Sequence, residues 1–203
     1  MSVEIKFYFD FGSPNAYLSH LVIPAIEERT GEKFIYTPVL LGGVFKMTNN
    51  VSPAISLQGI KNKPEYQQLE MQRFLKKHDI KNFQYNPHFP VNTLQIMRGA
   101  MVAQRAGFFE KYINDMYKNM WAEPKKLDDP EVITAVLSES GLPVEDIMKG
   151  IQDPSVKQEL ITNTEAAVTN GVFGSPSFLV GTELYFGKDR LREVEEEIES
   201  QKV

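Results

Sequence analysis

The chain has 203 residues, 42% hydrophobic and 24% charged, with a formal net charge of −5, which fits one soluble globular domain with room for an inserted subdomain. The acidic balance gives no reason to expect nucleic acid or an anionic membrane as partner. Cysteine is absent, which excludes disulfides, cysteine nucleophiles and cysteine-based zinc sites, and His20, His78 and His88 lack metal-ligand spacing.

Glu4 to Asp10 reads as a buried strand, aromatic at Phe7-Tyr8-Phe9. Asp10-Phe11-Gly12-Ser13-Pro14 breaks it, and Tyr17, Leu18, Leu21, Val22, Ile23 and Ile26 follow at helical spacing. Ser13 is a preferred N-cap, and Pro14 suits the first helical position because its missing N–H is an orphan there anyway. Ser13 therefore stands at the positive end of a helix dipole, where a thiolate is stabilised, or it serves as a cap and nothing more. Gly31 is a plausible stop, and Pro24 should kink or divide the helix. Lys33 to Val39 is a second strand. Leu40 to Pro64, rich in Gly, Asn, Ser and Pro, reads as a long loop of the kind that is often functional.

Helical spacing returns over Glu65 to His78, from a cap at Asn92 to Phe108, and from Phe109 to Trp121. Asp129-Pro130 and Asp153-Pro154 each open a further helix as cap and first residue, with a short helix over Pro143 to Ile151 between them. Ser177 to Val180 and Glu183 to Phe186 read as a hairpin around Gly181-Thr182. Asp189 opens a closing helix with an acidic, solvated face. The order is β-α-β, a block of helices, then α-β-β-α. Nowhere do 18 apolar residues run together, and the first residues lack the features of a signal peptide. The expectation is a soluble, cytoplasmic protein.

This order resembles an α/β thioredoxin-like four-stranded sheet with an inserted all-helical, DsbA-like subdomain. It implies a thioredoxin-like domain of residues 1–64 and 153–203 and a helical insertion of 65–152. Where thioredoxin-type oxidoreductases carry Cys-x-x-Cys, this chain reads Ser13-Pro14-Asn15-Ala16. FYFDFGSPNAYL, LLGGVFKMTNN, NGVFGSPSF and LYFGKDRL, four stretches in register, resemble 2-hydroxychromene-2-carboxylate isomerases and kappa-class glutathione transferases. The chain departs from that pattern at Ala16, which removes a second hydroxyl, at Asn49, which replaces a Gly, and at Ser175, which replaces a larger apolar residue.

The resemblance implies glutathione as cofactor, a small aromatic substrate and a homodimer, with no nucleic acid, membrane or metal. A thiol like that of glutathione, near pKa 8.5 by analogy with cysteine, would be held as thiolate by the Ser13 hydroxyl and the helix N-terminus. The resemblance also implies that Pro176 is cis, although trans is the commoner isomer, with the Ser175 backbone pairing with glutathione as an added strand would. Asn50 would hold the peptide portion, Lys63 (with Lys61 as its competitor) the glycyl carboxylate, and Lys188-Asp189 the γ-glutamyl end. Asp10 reads as a local cap outside the catalytic set. Tyr8, Phe11, Phe45 and Trp121 are candidates for an aromatic pocket, with core packing the alternative. The activity implied is glutathione-dependent isomerisation of an aromatic ring-cleavage product by reversible thiolate addition. The alternatives are a kappa-like transferase and a non-catalytic binding module.

Overall fold

Strand β1 (Ile5–Phe9) sits inside the sheet and fixes the place of the rest. In the computed structural model, which describes residues 3–202, it pairs in parallel with β2 (Phe34–Pro38) and antiparallel with β3 (Ser177–Val180). β3 pairs antiparallel with β4 (Glu183–Phe186), giving the order β2-β1-β3-β4. The aromatic run of β1 explains this central place. Phe7 stands opposite Tyr36 on one side and Phe178 on the other. Its ring stacks on Phe178 at 5.2 Å and meets the edge of Tyr36 at 4.9 Å. Cross-strand aromatic pairs of this kind hold a register. Tyr8 points to the opposite face, as the period of two requires, and packs with Val39, Val44, Ala167, Val172 and Leu179.

Helix α1 (Pro14–Thr30) crosses from β1 to β2, capped by Ser13 and stopped by Gly31 at φ 70°, whose N–H donates to the Glu27 carbonyl. Of the two expectations at Pro24, division is absent: the helix runs through it. Proline removes one bond to the carbonyl four residues back, and Val22, Ile23 and Ile26 around it are buried.

The loop expected over Leu40 to Pro64 is also corrected. It holds α2 (Leu41–Thr48) and the four-residue α3 (Pro53–Ser56), and α4 (Lys63–Lys77) starts before its end. Gly42 and Gly43 give α2 poor intrinsic propensity. Its formation rests on tertiary packing: Val44 is buried, and the side chain of Asp10, just after β1, accepts the Leu41 N–H.

Five helices follow: α5 (Leu94–Ala106), α6 (Phe109–Trp121), α7 (Pro130–Glu139), α8 (Val144–Gly150) and α9 (Pro154–Thr169). Asp129 and Asp153 cap α7 and α9 as read. α5 begins two residues after Asn92, whose Oδ1 accepts from the Leu94 N–H at 3.1 Å. After the hairpin, a 3-10 turn (Lys188–Arg190) leads into α10 (Leu191–Gln201). One buried cluster runs from Phe7, Phe9 and Phe11 through Met97, Tyr112 and Tyr117 to Leu137 and Ile151, so the helical block shares its core with the sheet. Among the described residues no helix is long and apolar enough to cross a membrane.

Of the glycines, Gly99 of α5 has the tightest surroundings. A Cβ there would clash with the Tyr112 hydroxyl, which donates to the Ile96 carbonyl at 2.9 Å. Gly→Ala in a helix ordinarily stabilises by up to about 1 kcal/mol. Here we expect Gly99→Ala to destabilise by about 1–3 kcal/mol, the cost of overpacking. Urea unfolding gives the sign, and Tyr112→Phe in the same chain should recover part of the loss.

Candidate active site

Asp10 follows β1 and is 1% exposed. Its Oδ1 accepts the Gly12 N–H at 2.8 Å and its Oδ2 the Leu41 N–H at 2.8 Å, and the Thr93 side chain stands near enough to lower its pKa. Its backbone carbonyl accepts the Ser13 N–H at 3.0 Å. Ser13 caps α1, Leu41 opens α2 and Thr93 precedes α5. Three helix N-termini thus converge on one residue, a place that favours negative charge. Burial nevertheless pushes the Asp10 carboxyl above its ordinary value, with the bonds from Leu41, Gly12 and Thr93 pulling the other way.

Ser13 is 4% exposed. Its Oγ accepts the Ala16 N–H at 3.2 Å and donates to the Ser175 carbonyl at 2.8 Å. The Ser175–Pro176 bond is cis, and the Pro176 carbonyl accepts the Gly187 N–H at 3.0 Å. The N-cap of the first helix, the residue before the cis proline and the turn after β4 therefore meet at one end of the sheet. Cap and contact with a distant carbonyl coexist in the one hydroxyl, which both accepts and donates.

Ser13, Ser175 and Pro176 come together directly. Asn50 reaches the same segment, donating from Nδ2 to the Phe173 carbonyl at 2.9 Å, while its Oδ1 accepts the Val51 N–H at 2.8 Å. Lys188 and Asp189 follow Gly187, but their side chains differ in reach. Lys188 is 5% exposed, its ammonium lies 2.6 and 2.8 Å from the two Asp189 oxygens, and it stands 4.7 Å from the centre of the Phe74 ring. Of the two, the Asp189 carboxylate is the group open to a ligand. Lys63 and Lys61 are exposed near the start of α4, and no hydrogen bond among the described residues joins either to the group around Ser13.

Tyr8, Phe11 and Trp121 pack in the core. They are buried, and the Trp121 Nε1–H donates to the Phe11 carbonyl at 2.7 Å. Phe45, on α2, is partly buried. Thr93 and the long-range role of Asp10 escape sequence reasoning, because nothing near Asp10 in the chain announces partners at positions 41 and 93. Among the described residues no group of three His, Asp or Glu side chains could hold a metal ion.

The chain is similar to known proteins over nearly its whole length. The family model described as DSBA-like thioredoxin domain matches residues 4–199. The 2-hydroxychromene-2-carboxylate isomerase of Sphingobium xenophagum is 24% identical, over 94% of this chain and 95% of that protein. Glutathione S-transferase kappa 1 of Homo sapiens is 24% identical, over 92% of this chain and 87% of that protein. Among solved structures, a 2-hydroxychromene-2-carboxylate isomerase superposes with a TM-score of 0.82 at 23% identity, covering 97% of this chain and 95% of that one.

The Asp10 carboxyl generates a pH-dependent expectation. Burial raises its folded-state pKa above the ordinary 3.8. The folded chain then keeps a proton that the unfolded chain has already lost, so the contribution is largest in acid and falls as pH rises toward the folded value. Asp10→Asn lacks this dependence and turns an N–H toward another donor. We expect the variant to be less stable by about 1–3 kcal/mol near pH 4, with the gap to the unaltered chain narrowing as pH rises. Urea midpoints across the acid-to-neutral range test this, and a widening gap would contradict it.

Proposed function

The chain belongs to the family of DSBA-like thioredoxin domains, and from that premise we propose that it is a glutathione-dependent isomerase of an aromatic ring-cleavage product of the 2-hydroxychromene-2-carboxylate type. The observation that carries this reading is the Ser13 hydroxyl, held at the N-cap of α1 against the Ser175 carbonyl before cis Pro176. Thiol–disulfide exchange needs protein thiols, and this chain has none. A thiol used at this place must come from another molecule, and we take that molecule to be small.

The residues present suit glutathione. An exposed carboxylate at Asp189 fits an α-ammonium, and the first N–H groups of α1 fit a thiolate. Asn50 lies beside Phe173, within the segment that leads to Ser175. Lys63, with Lys61 as its competitor, is the candidate for the glycyl carboxylate. Bound as thiolate, glutathione supplies a nucleophile that adds reversibly to a conjugated enone and so frees its double bond to rotate. Ser13 turns its hydroxyl from the Ser175 carbonyl toward the sulfur, a motion about one rotatable bond. A hydrogen bond to a charged group is worth about 1.5–3 kcal/mol, and lowering a thiol pKa by one unit takes about 1.4 kcal/mol. Ser13 and the α1 dipole together supply that. Lys188 fixes the Asp189 carboxylate through both oxygens and acts as a positioning residue.

A second reading is a kappa-like transferase, in which the thiol adduct is the product; the similarity to the human kappa protein favours it. Reduced glutathione is a thiol of the cytoplasm, where we place the protein. For a homodimer, the exposed Met47, Val51, Ile55, Ile60, Tyr66 and Leu69, close together in the chain, are candidates for the contact.

Calorimetry with glutathione tests the premise, and no heat at millimolar thiol would favour a binding module. An ultraviolet assay of chromene-carboxylate equilibration then separates isomerase from transferase. We expect Ser13→Ala to slow turnover by about 10- to 1000-fold, which is about 1.4–4 kcal/mol, while glutathione affinity stays within about tenfold. The absorbance of the bound thiolate should rise at higher pH in the variant. Unchanged turnover with an unchanged thiolate titration would reduce Ser13 to a cap.

A further inference from the structure

A cleft of about 350 Å³ opens between α1, α4 and the start of α10, within the size range of small-molecule sites. None of Ser13, Asn50, Ser175 and Pro176 lines it. The cleft first meets α1 at Val22, which at 1.5 Å per residue is about 13 Å along the helix from Ser13. It shares only Lys188 and Asp189 with the candidate thiol site.

The floor is apolar, made by Val22, Ile26, Phe74 and Leu191. Charged side chains form the walls, and most are already matched. Glu195 takes both nitrogens of a fork from Arg29, at 2.6 and 2.8 Å. Glu70 is paired with Arg73, and Asp189 with Lys188. Arg192 is held by Glu196 at 2.7 Å. Lys77 remains: it lines the cleft, is exposed, and has no carboxylate within salt-bridge distance among the described residues. The lining carries more cations than carboxylates although the chain carries −5. The neighbouring His78, whose ring lies 4.4 Å from that of Phe74, is held below its ordinary pKa by burial and by the charges of Lys77, Arg29 and Lys188.

One uncommitted cation above an apolar floor matches a monoanion with an apolar body. We infer that this cleft is a second binding site, for a small organic carboxylate whose apolar part rests against Phe74, Ile26 and Leu191 and whose charge meets Lys77. Burying the apolar part supplies affinity that a bare inorganic anion would lack. The inference stands whether or not glutathione binds near Ser13.

The probe is 2-naphthoate, followed by the ring signals of His78 in NMR, with 2-naphthamide as its uncharged counterpart. The naphthoate should shift His78 saturably, and the amide should bind at least about tenfold more weakly. Lys77→Glu, an exposed change that spares the core, should weaken naphthoate by about tenfold or more, and Lys77→Arg should keep it within about threefold. No saturable His78 shift, equal binding of the amide, or equal binding by Lys77→Glu would overturn the assignment. Displacement of naphthoate by saturating glutathione would overturn it too, by making the cleft part of the thiol site.

Discussion

The Asp10 carboxylate is the constraint on which the site depends. It is buried just after the central aromatic strand and accepts bonds from Gly12 and Leu41, with Thr93 beside it. Each partner lies at or just before the start of a different helix. A helix N-terminus leaves backbone N–H groups without partners, and a buried carboxylate without donors is costly. Each defect answers the other. The result holds the turn that carries Ser13 in place from three directions, without a metal or a disulfide.

Packing of the helical block against that turn adds a second restraint. Trp121, at the end of α6, donates to the Phe11 carbonyl, and the Phe11 N–H points at the Met97 sulfur of α5. Phe11 meets Tyr117 edge-on at 4.9 Å. The loop between β1 and α1 is thus enclosed by side chains from the helices inserted after β2. A loop enclosed in this way keeps its backbone N–H groups aimed in fixed directions, which is what preorganised stabilisation of an anion requires.

The polar groups proposed for the thiol site are mostly committed to near neighbours. Ser13 is bonded to Ser175, Asn50 to Phe173, and Lys188 to Asp189. A ligand entering here would exchange partners rather than meet free groups, and such exchange costs little when each new bond replaces an old one. The exposed Asp189 carboxylate is the exception, since it can accept from a ligand without leaving Lys188.

Much of the chain's local structure is legible in the sequence. Ser13-Pro14, Asp129-Pro130 and Asp153-Pro154 mark helix starts, Gly31 marks a stop, and Gly181-Thr182 marks the turn of a hairpin, all as found. These signals act within about four residues, so the sequence contains both partners of each. The resemblance carried by the four motifs extended that reading to the sheet and to cis Pro176. What only the tertiary structure decided involves partners far apart in the chain. α2 forms from a glycine-bearing stretch because Asp10 receives its first N–H, and Asp10 itself is more than a local cap because Thr93 also reaches it. Lys188 turns inward because Phe74 and Asp189 receive it. Tyr8, Phe11 and Trp121 become core because neighbouring elements cover them, and the composition of an aromatic side chain is the same whether it lines a pocket or fills an interior.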